Sequence, residues 1–352
     1  MGLQMQNNHV VVLGGLLHDI GKLIRKAQVN PMARDHTQWG DFWFQEKIYG
    51  KLRKVFGEEE LQIVRSAIGN HHRDEEYISL ADAISTGLRR ANLEDEEDGD
   101  SSNERLVSIF SQVSISDKPK KKKYHKLSFL GKEKAREIFP IDEKECFSED
   151  YPLLLKSLEK EITSLDFSNV SQYESINSIY FLLWKYAWCV PSIEPDVSLF
   201  DHLKTTAAIA GCLCSYHKEN DDALLSEKSR AFCLIGGDIS GIQTYIFNVL
   251  SQRGKVAKRL RARSLFVQLV SEIASHKILH AFDLSLCNLI SCAGGNFYIL
   301  SPNLRDMNKT IKQLRTEFDD WTLSELNAEL SISLGTLEVA GEELADFTRT
   351  LI

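Results

Sequence analysis

The sequence predicts an α+β protein in which an all-α helical domain precedes a smaller ferredoxin-like domain. Three observations lead to this class. Residues 9 to about 92 carry apolar side chains at helical spacing. Like charges then dominate residues 94–126. From residue 231 onward, short apolar strands alternate with helices in a β-α-β-β-α-β order, which is typical of a ferredoxin-like unit.

The composition is that of a globular protein with two or three domains. The chain has 352 residues, 43% hydrophobic and 26% charged, and a net charge of -8. This balance excludes a surface built wholly for nucleic acid, so any such site must be a local basic patch. The seven cysteines include no C-x-x-C pair, which favours a reducing cytosol and no zinc ribbon. We find no signal peptide, and the apolar runs Val10–Leu17 and Ile179–Leu183 are too short to cross a membrane.

Helical spacing is clear in two segments of the first domain. They contain Leu61, Val64 and Ile68, and then Leu80, Ala83, Ile84 and Leu88. An acidic run at 94–100 and a basic run at 118–123 follow. Like-charge blocks are typical of a solvated, partly disordered insert, although the lysines can alternatively contact a nucleic-acid backbone. Residues 127–225 again favour helices, including one at Phe200–His217.

The last third of the chain alternates strands and helices. We expect strands at Phe232–Ile235, Leu286–Ile290, Phe297–Leu300 and Leu330–Leu337, and helices at Ile239–Phe247, Lys258–Leu279 and Met307–Trp321.

A set of histidines and aspartates predicts a metal site. His18 and Asp19 are adjacent, and Lys22 follows one helical turn after His18, where it can stabilise phosphate charge as a catalytic residue. Further candidate ligands are His71, His72 and Asp82. Imidazole and carboxylate ligands together suit Mn, Fe, Ni or Co better than Mg. Two such ions can activate water and hold both oxygens of an in-line phosphoryl displacement.

A second motif begins at the first predicted strand. Glycines at a strand end allow the backbone to approach a phosphate, and basic residues follow on one helical flank. This pattern predicts binding of a triphosphate or an RNA backbone, and a solvated basic face is the alternative. The candidate nucleotide-binding residues are Gly236, Gly237, Asp238, Ser240, Gly241, Gln243, Lys258, Arg259 and Arg263.

The segments 17–22 and 80–85 resemble the HD superfamily of metal-dependent phosphohydrolases. That superfamily normally carries one further histidine upstream of the His-Asp dyad, but only His9 precedes His18 here, and it is too near. The run at 200–210 resembles the missing helix, as in a circularly permuted HD domain. The resemblance therefore implies that His202 completes the metal site. The alternative is a surface histidine beside an N-capping Asp201.

Together with the motif at 236–243 and the run at 261–265, this arrangement resembles the large signature subunit of type III CRISPR effector complexes, subtype III-A. The resemblance implies an HD nuclease that cuts single-stranded DNA and two palm domains that make cyclic oligoadenylates from ATP. The second palm of that family carries a Gly-Gly-Asp-Asp turn, whereas the matching turn here is Gly294–Phe297 with an asparagine. We therefore expect the N-terminal part of such a subunit, with half of an ATP site.

The expected domains are an HD-type helical domain at 1–93, a charged flexible insert at 94–126, a helical region at 127–225 that completes the HD domain, and a first palm domain at 226–352, with the second palm absent. The resemblance implies a divalent metal (Mn, Ni, Co, Fe or Mg) and ATP as ligands.

The same resemblance implies several partners. They are single-stranded DNA, CRISPR RNA, target RNA and other complex subunits, especially the small subunit and the subunit that binds the guide end. No membrane is expected, and the location is the cytoplasm. Two alternatives stay open: a stand-alone HD phosphohydrolase of nucleotides, and a non-catalytic scaffold that binds RNA and partner proteins. The metal and the choice between endonuclease and exonuclease also stay open.

Overall fold

The chain forms two compact units, which are residues Met1–Ala210 and Gly211–Thr350. The computed structural model describes residues 7–28, 34–70, 76–87, 104–113, 121–192, 194–220, 224–247 and 256–345. The described part of the first unit is helical, and that of the second contains a four-stranded antiparallel sheet with helices. The α+β class predicted from the sequence is therefore confirmed.

The first nine of the described helices start within the first unit, and α9 extends past Ala210 to Glu219. They are α1 (Asn8–Leu17), α2 (Gly21–Lys26), α3 (His36–Phe44), which continues into a π-helical turn (Gln45–Tyr49), α4 (Gly50–Leu52), α5 (Glu58–Asn70), α6 (Glu76–Ser85), α7 (Asp150–Ser164), α8 (Gln172–Ala187) and α9 (Leu199–Glu219).

Local sequence signals explain where several helices start. Asn7 caps α1 by accepting a hydrogen bond from the backbone N–H of His9. Ser171 and Glu174 form a capping box at the start of α8. Helix α5 begins with three glutamates, whose charge is favourable at the positive end of the helix dipole. Its predicted apolar face is buried, so α5 packs as the spacing indicates.

Small residues let α1 pack tightly on its neighbours. A Cβ atom added to Gly15 would lie 2.6 Å from the Cα of Ala207 in α9. A Cβ atom added to Gly14 would lie 2.9 Å from the Cβ of Ala67 in α5. Larger side chains would push these helices apart, because real Cβ atoms do not approach so closely. Helix α1 is consequently almost completely buried between them.

The start of α3 lies equally close to α2. A Cβ atom added to Gly21 would lie 1.7 Å from the carbonyl oxygen of His36. This contact holds the first residue of α3 against the turn that follows α1.

Part of the charged insert packs on the helices. Within residues 104–113 and 121–126, Leu106 and Val107 are buried, and the backbone N–H of Val107 donates to the carbonyl oxygen of Pro195. Arg105 is also buried and contacts Asp150 at 3.1 Å. The apolar patch of the insert therefore joins the first unit. Residues 94–103 and 114–120 lie outside the described part of the chain.

The second unit follows the predicted order of strands and helices. Its elements are β1 (Phe232–Ser240), α10 (Ile242–Phe247), α11 (Val256–Ala281), β2 (Leu289–Ala293), β3 (Asn296–Pro302), α12 (Met307–Leu326) and β4 (Ser331–Val339). The strand order is β2-β3-β1-β4, and every neighbouring pair is antiparallel.

Strand β1 is longer than predicted, and the helix expected from Ile239 begins only at Ile242. Gly236 and Gly237 therefore lie inside the strand rather than at its end. A Cβ atom added to Gly237 would lie 2.0 Å from the Phe297 ring, so the absent side chain makes room for this buried aromatic. Packing across β1 and β3 thus explains one of the two glycines.

All seven cysteines are free thiols. Burial raises the pKa of the Cys189 thiol to about 12, so this group behaves as a small core residue. Among the helices that the structure describes, none has the length and apolar character needed to cross a bilayer.

The contact between α1 and α9 predicts a position-dependent effect of adding one methyl group. Gly15→Ala should lower the unfolding midpoint by at least about 3 °C relative to Gly50→Ala, because an overpacked core contact costs about 1–3 kcal/mol. Both changes gain the same helix propensity, but nothing lies within 4 Å of a Cβ atom at Gly50. Thermal unfolding followed by circular dichroism measures the difference. Equal midpoints for the two variants would contradict the tight contact.

Candidate metal centre

The Asp19 carboxylate lies at the centre of a buried polar cluster in the first unit. His18 caps the C-terminal end of α1, and both His18 and Asp19 are completely buried. They share this burial because α1 is apolar around its whole circumference. Lys22 lies one turn further on, and its Nζ is 2.6 Å from Asp19 Oδ2. The structure thus brings these three predicted residues together, and their roles as ligands and as a catalytic group stay a prediction.

His202 reaches the same carboxylate from α9. Its Nε2 lies 3.1 Å from Asp19 Oδ2 and 3.3 Å from Asp82 Oδ1. The His18 and His202 ring centroids are 5.0 Å apart. His202 is buried, so it is not the surface histidine of the alternative interpretation. The close packing at Gly15 brings α9 near enough for this contact.

Asp82 faces the cluster from α6. It is buried, and its Oδ1 lies 3.9 Å from Nε2 of His18. The Ser85 hydroxyl, one turn later, is 3.0 Å from the Thr206 hydroxyl of α9. This hydrogen bond ties α6 to the helix that carries His202.

His36 also faces Asp19, although no pattern in the sequence predicted it. It is buried, with its Nε2 3.4 Å from Asp19 Oδ1. The nearest sequence signal was the N-cap of α3, where Asp35 accepts a hydrogen bond from the backbone N–H of Gln38. A cap indicates where a helix begins and not which residue its first turn contacts. The contact depends on the close approach at Gly21.

The donor set fits a transition-metal ion. One ligand atom each from His18, Asp19 and His202 can be chosen so that all three lie within 4.8 Å of one another. The Nδ1 of His18 lies 2.8 Å from the carbonyl oxygen of Gly15. A proton on Nδ1 would make this contact a hydrogen bond that orients the ring and leaves Nε2 towards the carboxylates, as in metal-binding histidines. Mixed imidazole and carboxylate donors suit Mn, Fe, Co or Ni.

The charges in the cluster also favour binding of a divalent metal ion. Asp19 and Asp82 are both buried, and Lys22 provides the nearest ammonium, in contact with Asp19. Desolvating a carboxylate costs several kcal/mol unless positive charge compensates for it. A divalent cation held by the residues of this cluster would provide that compensation. The other predicted ligands, His71 and His72, lie outside the described residues.

The predicted nucleotide-binding residues lie in the second unit. Gly236, Asp238 and Ser240 alternate along one face of β1, and the carboxylate of Asp238 is exposed. Gly241 starts the turn into α10 with a φ of 89°, a conformation that favours glycine. Its neighbour Gln243 is exposed in the first turn of α10.

The basic candidates belong to the first two turns of α11. Lys258 is exposed and Arg259 is partly buried. Arg263 donates a hydrogen bond to the carbonyl oxygen of Tyr245, and its guanidinium lies 4.7 Å from the centre of the Tyr245 ring. This arginine therefore joins α10 to α11.

Two family models match the chain. Residues 1–109 match the HD domain, and residues 231–351 match Csm1 subunit domain B. Curated relatives include the CRISPR system single-strand-specific deoxyribonuclease Cas10/Csm1 (subtype III-A) of Methanocaldococcus jannaschii, 30% identical over 93% of this chain and 45% of the relative. The protein of the same description from Enterococcus italicus is 27% identical over 97% of this chain and 48% of its own length. The chain spans about half the length of these relatives.

Solved structures share the fold. The Csm1–Csm4 cassette in complex with AMPPNP matches with a TM-score of 0.71 and 24% identity, over 98% of this chain and 47% of that one. Csm1 of T. onnurineus matches with a TM-score of 0.70 and 24% identity, over 98% of this chain and 48% of that one.

The geometry predicts that distant histidines act on one ion. His202→Ala and His18→Ala should each lower the affinity for Mn²⁺ at least tenfold, because each removes a nitrogen donor from the same cluster. Metal content after equilibration and desalting, measured by mass spectrometry, tests this without an activity assay. His9→Ala, at the other end of α1, is the control and should retain the metal. Wild-type metal content in His202→Ala would contradict the assignment.

Proposed function

Because the chain is a homologue of Cas10/Csm1 that carries an HD domain and a Csm1 domain B, we propose that its first unit is a metal-dependent nuclease that cleaves single-stranded DNA. The observation that carries the proposal is the convergence of His18, Asp19, Asp82 and His202 from three parts of the chain on one buried point. The printed name of the relatives, single-strand-specific deoxyribonuclease, supports the choice of substrate.

The residues of the cluster have different roles in the proposed reaction. Asp19, Asp82, His18 and His202 would hold a divalent metal, with His71 and His72 as further ligands. When bound, the metal supplies Lewis-acid activation of the scissile phosphodiester and of the attacking water. Lys22 holds the Asp19 carboxylate in place through its 2.6 Å contact and adds positive charge beside the position where phosphate charge develops. Burial strengthens each of these interactions, because little water screens them.

His36 belongs to the same machinery in this proposal. Its Nε2 faces the Asp19 oxygen opposite the one that Lys22 and His202 contact. From this side it can serve a second metal or hold Asp19 in its orientation. His36 and Asp19 would then hold this second ion, which when bound would supply further Lewis-acid stabilisation of phosphate charge.

We propose that the second unit is a palm domain with half of an ATP-binding cyclic-oligoadenylate synthase site. Its element and strand order support a ferredoxin-like palm, and structures of the Csm1–Csm4 cassette include complexes with AMPPNP and cA4. Asp238 and Ser240 lie exposed on β1, where a nucleotide can reach them. The turn at Gly294–Phe297 carries asparagine instead of paired carboxylates, so synthesis needs acidic residues from elsewhere.

The full assembly is part of the proposal. We propose that the chain acts in the cytoplasm as the N-terminal portion of the large subunit of a type III-A effector complex. Its partners would be the other subunits, CRISPR RNA and target RNA. Solved complexes of the related Csm1 with Csm4 support contact with another subunit.

Asp19→Asn should abolish cleavage of single-stranded DNA, lowering the rate at least a hundredfold, because it removes the carboxylate that Lys22, His36 and His202 contact. Cleavage of a fluorescent oligonucleotide with Mn²⁺, and its loss with EDTA, is the measurement. Asp142→Asn is the matched control, since Asp142 is half-exposed and pairs with Lys121 away from the cluster.

Three results, from this assay and from parallel assays of nucleotide hydrolysis and metal binding, would contradict the proposal. Full activity of Asp19→Asn would show that the cluster is not the active site. Hydrolysis of nucleotides or cyclic dinucleotides without cleavage of DNA would show an HD phosphohydrolase of small substrates. Metal binding without any hydrolysis would indicate a scaffold subunit.

A further inference from the structure

A polar groove runs between α3 and α5 in the first unit, and α3 also carries His36 of the metal cluster. Its cavity has a volume of about 330 Å³. Thr37 and Gln38 line its start, directly after His36, whose Nε2 is 3.4 Å from Asp19. Helix α3 therefore carries both the histidine that contacts Asp19 and the first residues of the groove. A polymer held with one phosphate at the cluster would extend along α3 to reach this groove.

The spacing of the lining residues explains the shape of the groove. Thr37 and Asp41 lie one turn apart on α3, and Arg65 and Gly69 lie one turn apart on α5. The two helices touch below the groove, where a Cβ atom on Gly40 would lie 2.9 Å from Ile68. The groove is therefore a polar channel on a rigid floor.

Arg65 presents charge in this channel. Its Nε lies 2.6 Å from Asp41 Oδ1 and its Nη2 lies 3.1 Å from Asp41 Oδ2. The hydrogen bond with Asp41 raises the pKa of the guanidinium further above its ordinary value, so the group stays charged. This side-on contact uses one edge of the guanidinium. The Nη1 edge keeps the geometry that binds a phosphate oxygen.

An exposed aromatic ring lies on the same flank of α3. Phe42 follows Gln38 by one turn, and 45% of its surface is exposed. The guanidinium of Arg34 lies 4.5 Å from the centre of the Phe42 ring. Neither Phe42 nor Arg34 lines the groove itself. An exposed ring beside a basic groove suits unpaired nucleic acid, because bases stack on aromatic rings and phosphates pair with cations.

We propose that this groove is a subsite for the nucleotide next to the scissile phosphate of a single-stranded DNA substrate, with its phosphate at Arg65 and an adjacent base on Phe42. The inference rests on the proposed nuclease function. The Asp41 carboxylate opposes this binding by neutralising Arg65 and so sets a moderate affinity. A nuclease that must release its cut strand gains from such a weak subsite.

The test measures binding of a fluorescein-labelled oligothymidylate to the full chain by anisotropy, with EDTA present so that no cleavage occurs. Arg65→Gln should weaken binding at least fivefold and lower the slope of log affinity against log salt by about 0.7. Asp41→Asn should tighten binding at least threefold, because Arg65 keeps its charge and loses its counter-ion. Arg53→Gln is the matched control: Arg53 pairs with Glu58, both are exposed, and it lies outside the groove. Its affinity should stay within twofold of wild type.

The opposite effects of Arg65→Gln and Asp41→Asn on DNA affinity distinguish a role in DNA binding from a role in stabilising the fold. If the ion pair only stabilised the fold, both changes would weaken binding together, and that result would overturn the proposal. So would equal affinities of Arg65→Gln and Arg53→Gln. Phe42→Ala removes an exposed ring with little risk to folding. This variant should weaken binding about threefold, and Phe42→Tyr should bind like wild type. Unchanged affinity of Phe42→Ala would show that no base stacks on Phe42.

A second assay separates this proposal from the proposed function. Bis(p-nitrophenyl) phosphate is a phosphodiester too short to occupy cluster and groove together. If the wild-type chain with Mn²⁺ hydrolyses neither this compound nor DNA, the nuclease function fails, whatever the anisotropy shows. If the compound is hydrolysed and the Arg65 and Asp41 variants bind DNA like wild type, only the subsite fails.

Discussion

The first unit depends on one buried carboxylate. Asp19 is contacted by Lys22 and His202 on one oxygen and by His36 on the other, and these three residues come from three different helices. A carboxylate without solvent is stable only when such groups surround it, since its desolvation costs several kcal/mol. The helices that carry the partners must therefore pack closely around the end of α1. Structure and proposed chemistry share this constraint, because the histidines that surround Asp19 are also those that would bind a metal.

Close packing is possible because the residues at the helix contacts are small. Gly15 lets α9 approach with His202, and Gly21 lets the start of α3 approach with His36. Neither glycine touches the carboxylate, but each determines whether a histidine reaches it. The same principle shapes the second unit, where Gly237 leaves space for the Phe297 ring between β1 and β3. Glycines that look like phosphate-binding signals in a sequence can thus serve packing instead.

Much of the fold was predictable, because the spacing of apolar residues indicates which face of a helix or strand is buried. Helix α5 and the order of elements after residue 231 follow the apolar spacing closely. Errors arose at boundaries: β1 continues to Ser240, since pairing with β3 and β4 extends the strand past its apolar start. His36 was missed for another reason. Its contact with Asp19 spans seventeen positions, and no local pattern encodes it.

By itself, the sequence determined the α+β class, the grouping of His18 and Asp19 with Lys22, and the identity of Asp82 as a candidate partner. These features are local, so helical spacing and residue chemistry suffice for them. The role of His202 was implied only by resemblance to a permuted domain, and the choice between a surface and a buried histidine stayed open. Tertiary structure decided that choice, added His36, and formed the groove at Arg65. Each of these requires knowing which helices touch, and that depends on the packing of distant small residues, which spacing along one helix does not reveal.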